Sequence, residues 1–238
     1  MKRLLIEEDV SDEPPSGSRS RNIASQVVLN IIYPTCMIFS TVSIITACWK
    51  NGLDSFYTWH VLLSGIGFHL LMSTGISVLC EQHFFRHSSR TSYRRTIHWI
   101  LQSIGSACVV AGTVLQYSNR ERKHKQHIVS VHSIVGLLSV VLVIISLVSG
   151  VVALFGWELR KYFKSLWLYR AHRSIGIVTF LAGMLALVIA YDKHIFEDSF
   201  CTEIRLAIKV ATVITALITS FGLFKKIYNL VCESWQVR

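Results

Sequence analysis

Six apolar runs, each about as long as the roughly 20 residues a helix needs to cross a bilayer, decide what this chain can fold into. They lie near Val27–Trp49, Phe56–Leu79, Ile97–Tyr117, Ile128–Phe155, His172–Tyr191 and Ile204–Phe224. Inside hydrocarbon every backbone N–H and C=O must find a partner within the protein, so runs of this kind become helices. With 52% hydrophobic and only 16% charged residues, the charges fall between the runs rather than along them. Asn30, Arg205 and Lys209 are the awkward polar residues, and the two basic ones lie close enough to a run's end to snorkel. The expected fold class is all-α: an integral membrane six-helix bundle with a four-helix core.

The flanks read differently. Residues 1–25, with Glu7, Glu8, Asp9, Pro14, Pro15 and several serines, have the composition of a disordered tail, and no secretory signal is visible before them. The expected layout is a tail over 1–25, the membrane domain over 26–230, and a short second tail over 231–238. Lys and Arg in short loops set orientation. Arg86, Arg90, Arg94, Arg95, Arg160, Lys161, Lys164, Arg170 and Arg173 all fall on the side of both termini, which is therefore expected to be cytoplasmic. The opposite side carries Asp54, Asp192, Glu197, Asp198 and Glu203 among its bases. The net charge of +10 then belongs to loops that face lipid headgroups and anions, and no nucleic-acid motif accompanies it. Six cysteines form no C-x-x-C pair and no C-x-x-C-H, which excludes covalent haem attachment.

Four histidines stand inside four consecutive runs: His60, His98, His132 and His172. An ionisable ring at membrane depth is costly, so it is a functional suspect by default. If the amino terminus is inside, His60 and His132 lie near the outer ends of the second and fourth runs. His98 and His172 lie near the inner ends of the third and fifth. Two layers result, each with two imidazoles at matching depth, and neutral imidazole is a standard axial ligand of haem iron. Two bis-histidine haems separated by very roughly 15–20 Å are the expectation, from the helix rise and the bilayer thickness. Ser64, Gly136 and Gly176 follow three of the histidines by one turn and leave room for a flat ring. The alternatives are interfacial anchoring, since Trp59 and Trp99 adjoin two of them, and a metal or proton relay, although no acidic partner lies near them within the runs. His69 is expected to bond a neighbouring helix, and His124 and His127 to be loop residues.

FYTWHVLL around His60, RRTIHWILQ around His98, VHSIVGLL around His132 and LYRAHRSIGIVTFLAG around His172 resemble the cytochrome b561 family, in its short six-span form. The resemblance covers about residues 25–230. It implies a helical bundle, often dimeric, holding two non-covalent haem b groups. His60 and His132 would ligate the non-cytoplasmic iron, and His98 and His172 the cytoplasmic one. It further implies a reductase that takes electrons from cytoplasmic ascorbate and delivers them across the membrane to monodehydroascorbate or a ferric chelate. Arg94 and Arg95 occupy the stretch where relatives place lysines to hold ascorbate. Endoplasmic reticulum or vesicle membrane is the implied location. A haem-binding sensor, or a carrier serving a partner protein without its own ascorbate turnover, is the alternative.

Overall fold

The structure, a computed structural model, describes residues 28–79, 91–156, 158 and 165–236. The amino-terminal tail over 1–25 lies outside these residues, as do Arg86, Arg90, Arg160, Lys161 and Lys164. Among the described residues all regular structure is helical. Six segments are long and apolar enough to cross a membrane. The chain is an integral multi-pass membrane protein.

The first crossing is α1 (Tyr33–Lys50), entered through a π-helical turn, Val28–Ile32. The second is composite: α2 (Phe56–Gly65), a π-helical segment Ile66–Met72, and α3 (Ser73–Ser77). The third is α4 (Thr91–Arg122), the fourth α5 (Val131–Leu154) and the fifth α6 (Ser165–Ala190). A short α7 (His194–Glu197) precedes the last crossing, α8 (Thr202–Gln236).

Several ends differ from those expected of the apolar runs. Helix α4 outruns Ile97–Tyr117 at both ends, because polar TSYRR and SNRER continue the backbone ladder outside hydrocarbon. Helix α6 begins at Ser165, so His172 is two turns inside it rather than at its start. Helix α8 runs on to Gln236, through most of the stretch expected to be a tail. The fourth crossing starts later than expected. Ile128 has φ +57°, a left-handed conformation that a β-branched residue adopts only under constraint. Ser130 then caps the helix, with Ser133 returning the bond to the cap's backbone in a capping box.

The crossings pack in neighbouring pairs. Helix α5 lies along α6, the second crossing along α4, and α1 against α8, with α8 also touching α6. Glycines bring the second crossing and α4 close: a Cβ on Gly67 would stand 2.9 Å from the Gly105 carbonyl oxygen. The dry core runs through Phe68, Met72, Val109, Val143, Phe180 and Met184. The opposite faces carry exposed Ile, Leu, Val and Phe, and only 17% of the fourth crossing's apolar window is buried, as befits a surface wetted by lipid. Lys50 donates to the Ser199 carbonyl at 3.0 Å, and Asn51 to the Ile195 carbonyl at 3.2 Å. Lys209 grips Asp192 at 2.6 Å, and Arg205 lies 3.3 Å from Glu197. The first two contacts clasp the loop before α8 to the end of α1, and the ion pairs clasp it to α8 itself.

Candidate functional site

The bundle sets the four histidines in two pairs. The rings of His60 and His132 have centroids 6.4 Å apart with planes at 73°, and those of His98 and His172 are 6.4 Å apart at 77°. Neither pair is in direct stacking or hydrogen-bond contact. The separation has a chemical meaning. Two imidazoles on opposite sides of one metal, with bonds of about 2 Å and each bonding nitrogen ~1.1 Å from its ring centre, stand about 6.3 Å apart.

The other ring nitrogens are occupied. His60 Nδ1 donates to the Gly112 carbonyl at 3.0 Å, His98 Nδ1 to Gly75 at 2.8 Å and His132 Nδ1 to Ala186 at 3.0 Å. A carbonyl can only accept, so each Nδ1 carries the proton and each Nε2 is left with a bare lone pair. His172 Nδ1 meets the Ser149 hydroxyl at 3.1 Å. That hydroxyl donates its own hydrogen to the Ser146 carbonyl at 2.8 Å, and so accepts from the ring. This is the outer-shell pattern that fixes tautomer and orientation in histidine metal sites.

Local sequence explains the placement. Ser55 caps α2 by accepting from the Tyr57 amide at 3.1 Å, and His60 follows one turn later. Ser130 caps α5, which puts His132 in its first turn. Gly75 and Gly112 bring their carbonyls within reach of a ring on the facing helix, since a Cβ on Gly112 would stand 2.9 Å from Ser64 Oγ and one on Gly75 3.0 Å from Gln102 Nε2. Gly150 is required by His172, whose Cε1 would be 3.0 Å from an added Cβ. No atom lies within 4 Å of a Cβ built on Gly136, so the face of α5 one turn beyond His132 is open. Ser64 differs from expectation: it fills the seam between α2 and α4, 3.4 Å from His60 Nδ1, rather than opening space for a ring. Trp59 and Trp99 are exposed, 38% and 51%, while the neighbouring histidines bond carbonyls of a facing helix.

The layers are far apart. Gly112 is 14 residues beyond His98 on α4, and Ala186 is 14 beyond His172 on α6, each about 21 Å of helix rise. This slightly exceeds the sequence estimate.

At the end of the bundle that carries His98 and His172, Arg94 Nε donates to the Val78 carbonyl at 2.8 Å, which ties the start of α4 to the end of the second crossing. Arg95 is exposed and close enough to Arg173 for their charges to repel. The two arginines expected to act together therefore have different settings. At the opposite end, His127 stacks on Tyr117 at 4.5 Å and pairs with Glu121 at 2.6 Å. Among the described residues no group of three or more His, Cys, Asp or Glu side chains is arranged to hold a bare metal ion. The carbonyl partners and Ser149 carry no motif; only the glycines at 75 and 112 hint at them in sequence.

A family model described as eukaryotic cytochrome b561 matches residues 59–197, a stretch that contains all four paired histidines. The chain belongs to the eukaryotic cytochrome b561 family. Membership implies haem b binding, and the paired imidazoles with free Nε2 atoms fit such a group. The chain is 28% identical over 170 residues to transmembrane reductase CYB561D2 of Homo sapiens, covering 69% of this chain and 74% of that one. The Mus musculus protein of the same name is 24% identical over 181 residues, covering 74% and 77%. A probable transmembrane reductase, CYB561D1 of Homo sapiens, is 32% identical over 97 residues, covering 40% of this chain and 41% of the relative.

Proposed function

We propose that this cytochrome b561 is a transmembrane di-haem reductase, passing electrons from cytoplasmic ascorbate to monodehydroascorbate or a ferric chelate on the other side. The observation that carries the reading is the pair of equivalent histidine sites, both at 6.4 Å and both with Nδ1 hydrogen-bonded away, near opposite faces of one bundle. His60 and His132 hold the non-cytoplasmic haem iron, and His98 and His172 the cytoplasmic one. Bound there, haem b supplies a one-electron ferric–ferrous couple. A histidine pair holding each iron would leave no position for oxygen or substrate, so the residues favour electron transfer over oxygen chemistry.

The residues divide the remaining work. Arg95, exposed at the start of α4, and Arg173, next to His172 on α6, put positive charge at the end of the bundle that carries the His98–His172 pair, suited to the ascorbate monoanion. Arg94, its Nε committed to Val78, positions the start of α4 and leaves its terminal nitrogens for the same anion. The bases on the inner side set both termini in the cytoplasm. An endoplasmic reticulum or vesicle membrane suits a carrier that joins two ascorbate pools. A homodimer would bury part of the lipid-facing surface.

The test is a reduced-minus-oxidised absorption spectrum of the purified protein, titrated with ascorbate and quantified for haem per chain. Two b-type haems, both reduced by ascorbate, is the expected result. No haem, or haem that ascorbate cannot reduce, overturns it.

A further inference from the structure

Away from the paired histidines, the lipid-facing surface carries a groove of about 550 Å³ between α1 and the start of α8. One face of α1, from Thr35 through Ile38 and Val42 to Thr46, forms one wall, and Phe200 and Ile204 form the other. Ile38 and Val42 are 57% and 54% exposed, so the groove opens sideways into hydrocarbon. Its size lies within the range of about 300–1,000 Å³ usual for small-molecule sites.

The polar groups along this face are graded by depth. Lys50 ends α1 one turn beyond Thr46 and on the same side. Its Nζ stands over the Phe200 ring, 5.4 Å from the centroid, and donates to the Ser199 carbonyl at 3.0 Å. An ammonium has three hydrogens, and that carbonyl takes one of them. One turn deeper comes the Thr46 hydroxyl. Deeper still, Ser43 turns its hydroxyl back onto the Phe39 carbonyl of its own helix at 2.8 Å, which leaves an apolar trough along Val42 and Ile38.

Two plain accounts compete. A lysine at a helix end snorkels, and its charge suits the carbonyls of that end. Lipid also wets every apolar face of a bundle without any one molecule being held. Neither accounts for a base, a hydroxyl and an apolar trough in that order on one helix face. From Thr35 to Thr46 is about 16 Å of helix rise, which matches one leaflet of a hydrocarbon core roughly 30 Å thick. A partner helix crossing beside α1 would need the full thickness. A sterol has the length but brings no charge to Lys50.

We propose that this groove binds one phospholipid of the membrane, with its phosphate on Lys50, an ester carbonyl at Thr46 and one acyl chain laid along Val42 and Ile38. Ammonium and phosphate form a charge-assisted hydrogen bond, the stronger kind, and the hydroxyl donates to the ester. The chain fills the space between α1 and α8. At this end of the bundle the protein's own links between α1 and the segment before α8 include the bonds from Lys50 and Asn51, so the lipid adds a second clasp below them.

The test uses the full chain, purified in detergent and stripped of lipid. It is titrated separately with dioleoylphosphatidylglycerol and with cholesterol, while native mass spectrometry counts the lipid bound per chain. Wild type takes up one tight equivalent of the phospholipid. Lys50→Gln weakens that binding several-fold, Lys50→Arg retains it, and Val42→Trp, which fills the trough, abolishes it. Circular dichroism shows equal helicity in all four chains, so the losses are not unfolding. Phospholipid bound equally by all four, the mark of non-specific annular lipid, overturns the proposal, and so does phospholipid bound by none. A groove that takes cholesterol in preference overturns it too. So does a dimer that Val42→Trp splits, since the groove then seats a second copy of the chain.

Discussion

His172 Nδ1 takes the Ser149 side chain as a hydrogen-bond partner at 3.1 Å, so its orientation can be altered by substitution. Ser149→Ala should weaken haem retention at the inner site about 10-fold, the lower end of the range for lost outer-shell partners, since the Ser146 carbonyl remains nearby. Ser149→Thr should retain it; haem transfer to apomyoglobin measures both. If His60 and His132 hold one haem as proposed, His132→Ala should halve the haem per chain, with a spectrum from the His98–His172 site alone. A variant that keeps full haem content means that His132 is no ligand. At this scale the residue types were legible, because histidines inside apolar runs are conspicuous. Their acceptors on Gly75, Gly112 and Ala186 were not, since a backbone carbonyl leaves no mark in sequence.

Among the elements, the π-helical segment Ile66–Met72 matters most. It carries Phe68 against α6, where a Cβ on Gly183 would collide with the Phe68 ring. Gly183→Ala should cost about 1–3 kcal/mol as an overpacked contact. Adding Phe68→Leu should recover much of it, as read by thermal loss of haem absorbance in detergent. The start of α5 depends on Ser130, and Ser130→Ala should cost about 1 kcal/mol. The same melt should show the haem of the outer layer released first, because His132 lies in that first turn. Helix existence was readable from hydropathy, but the ends of α4, α6 and α8 were not. Outside hydrocarbon a helix continues on backbone bonds and packing, to which an apolar count is blind.

For the whole molecule, the arrangement predicts transfer across the bilayer and not merely haem binding. Vesicles with trapped ferricyanide should show reduction on adding external ascorbate, lost in both His132→Ala and His98→Ala. Loss in only one of the two would mean that the layers do not act in series. Arg95→Ala should raise the ascorbate concentration needed for half-maximal rate several-fold, and high salt should do the same to wild type by screening the Arg95–Arg173 spot.

The sequence by itself determined the solvent, the number of crossings and which of them carry the four histidines, because a bilayer reads hydropathy one segment at a time. Only the tertiary structure decided which faces met. The 6.4 Å pairings, the glycine seams beneath Gly67 and Gly105, and the alignment of His69 with Thr212 and Tyr33 with Ser77 depend on helix rotation and approach. Those are set by side-chain volumes on two helices at once, and neither sequence segment holds both halves of that information.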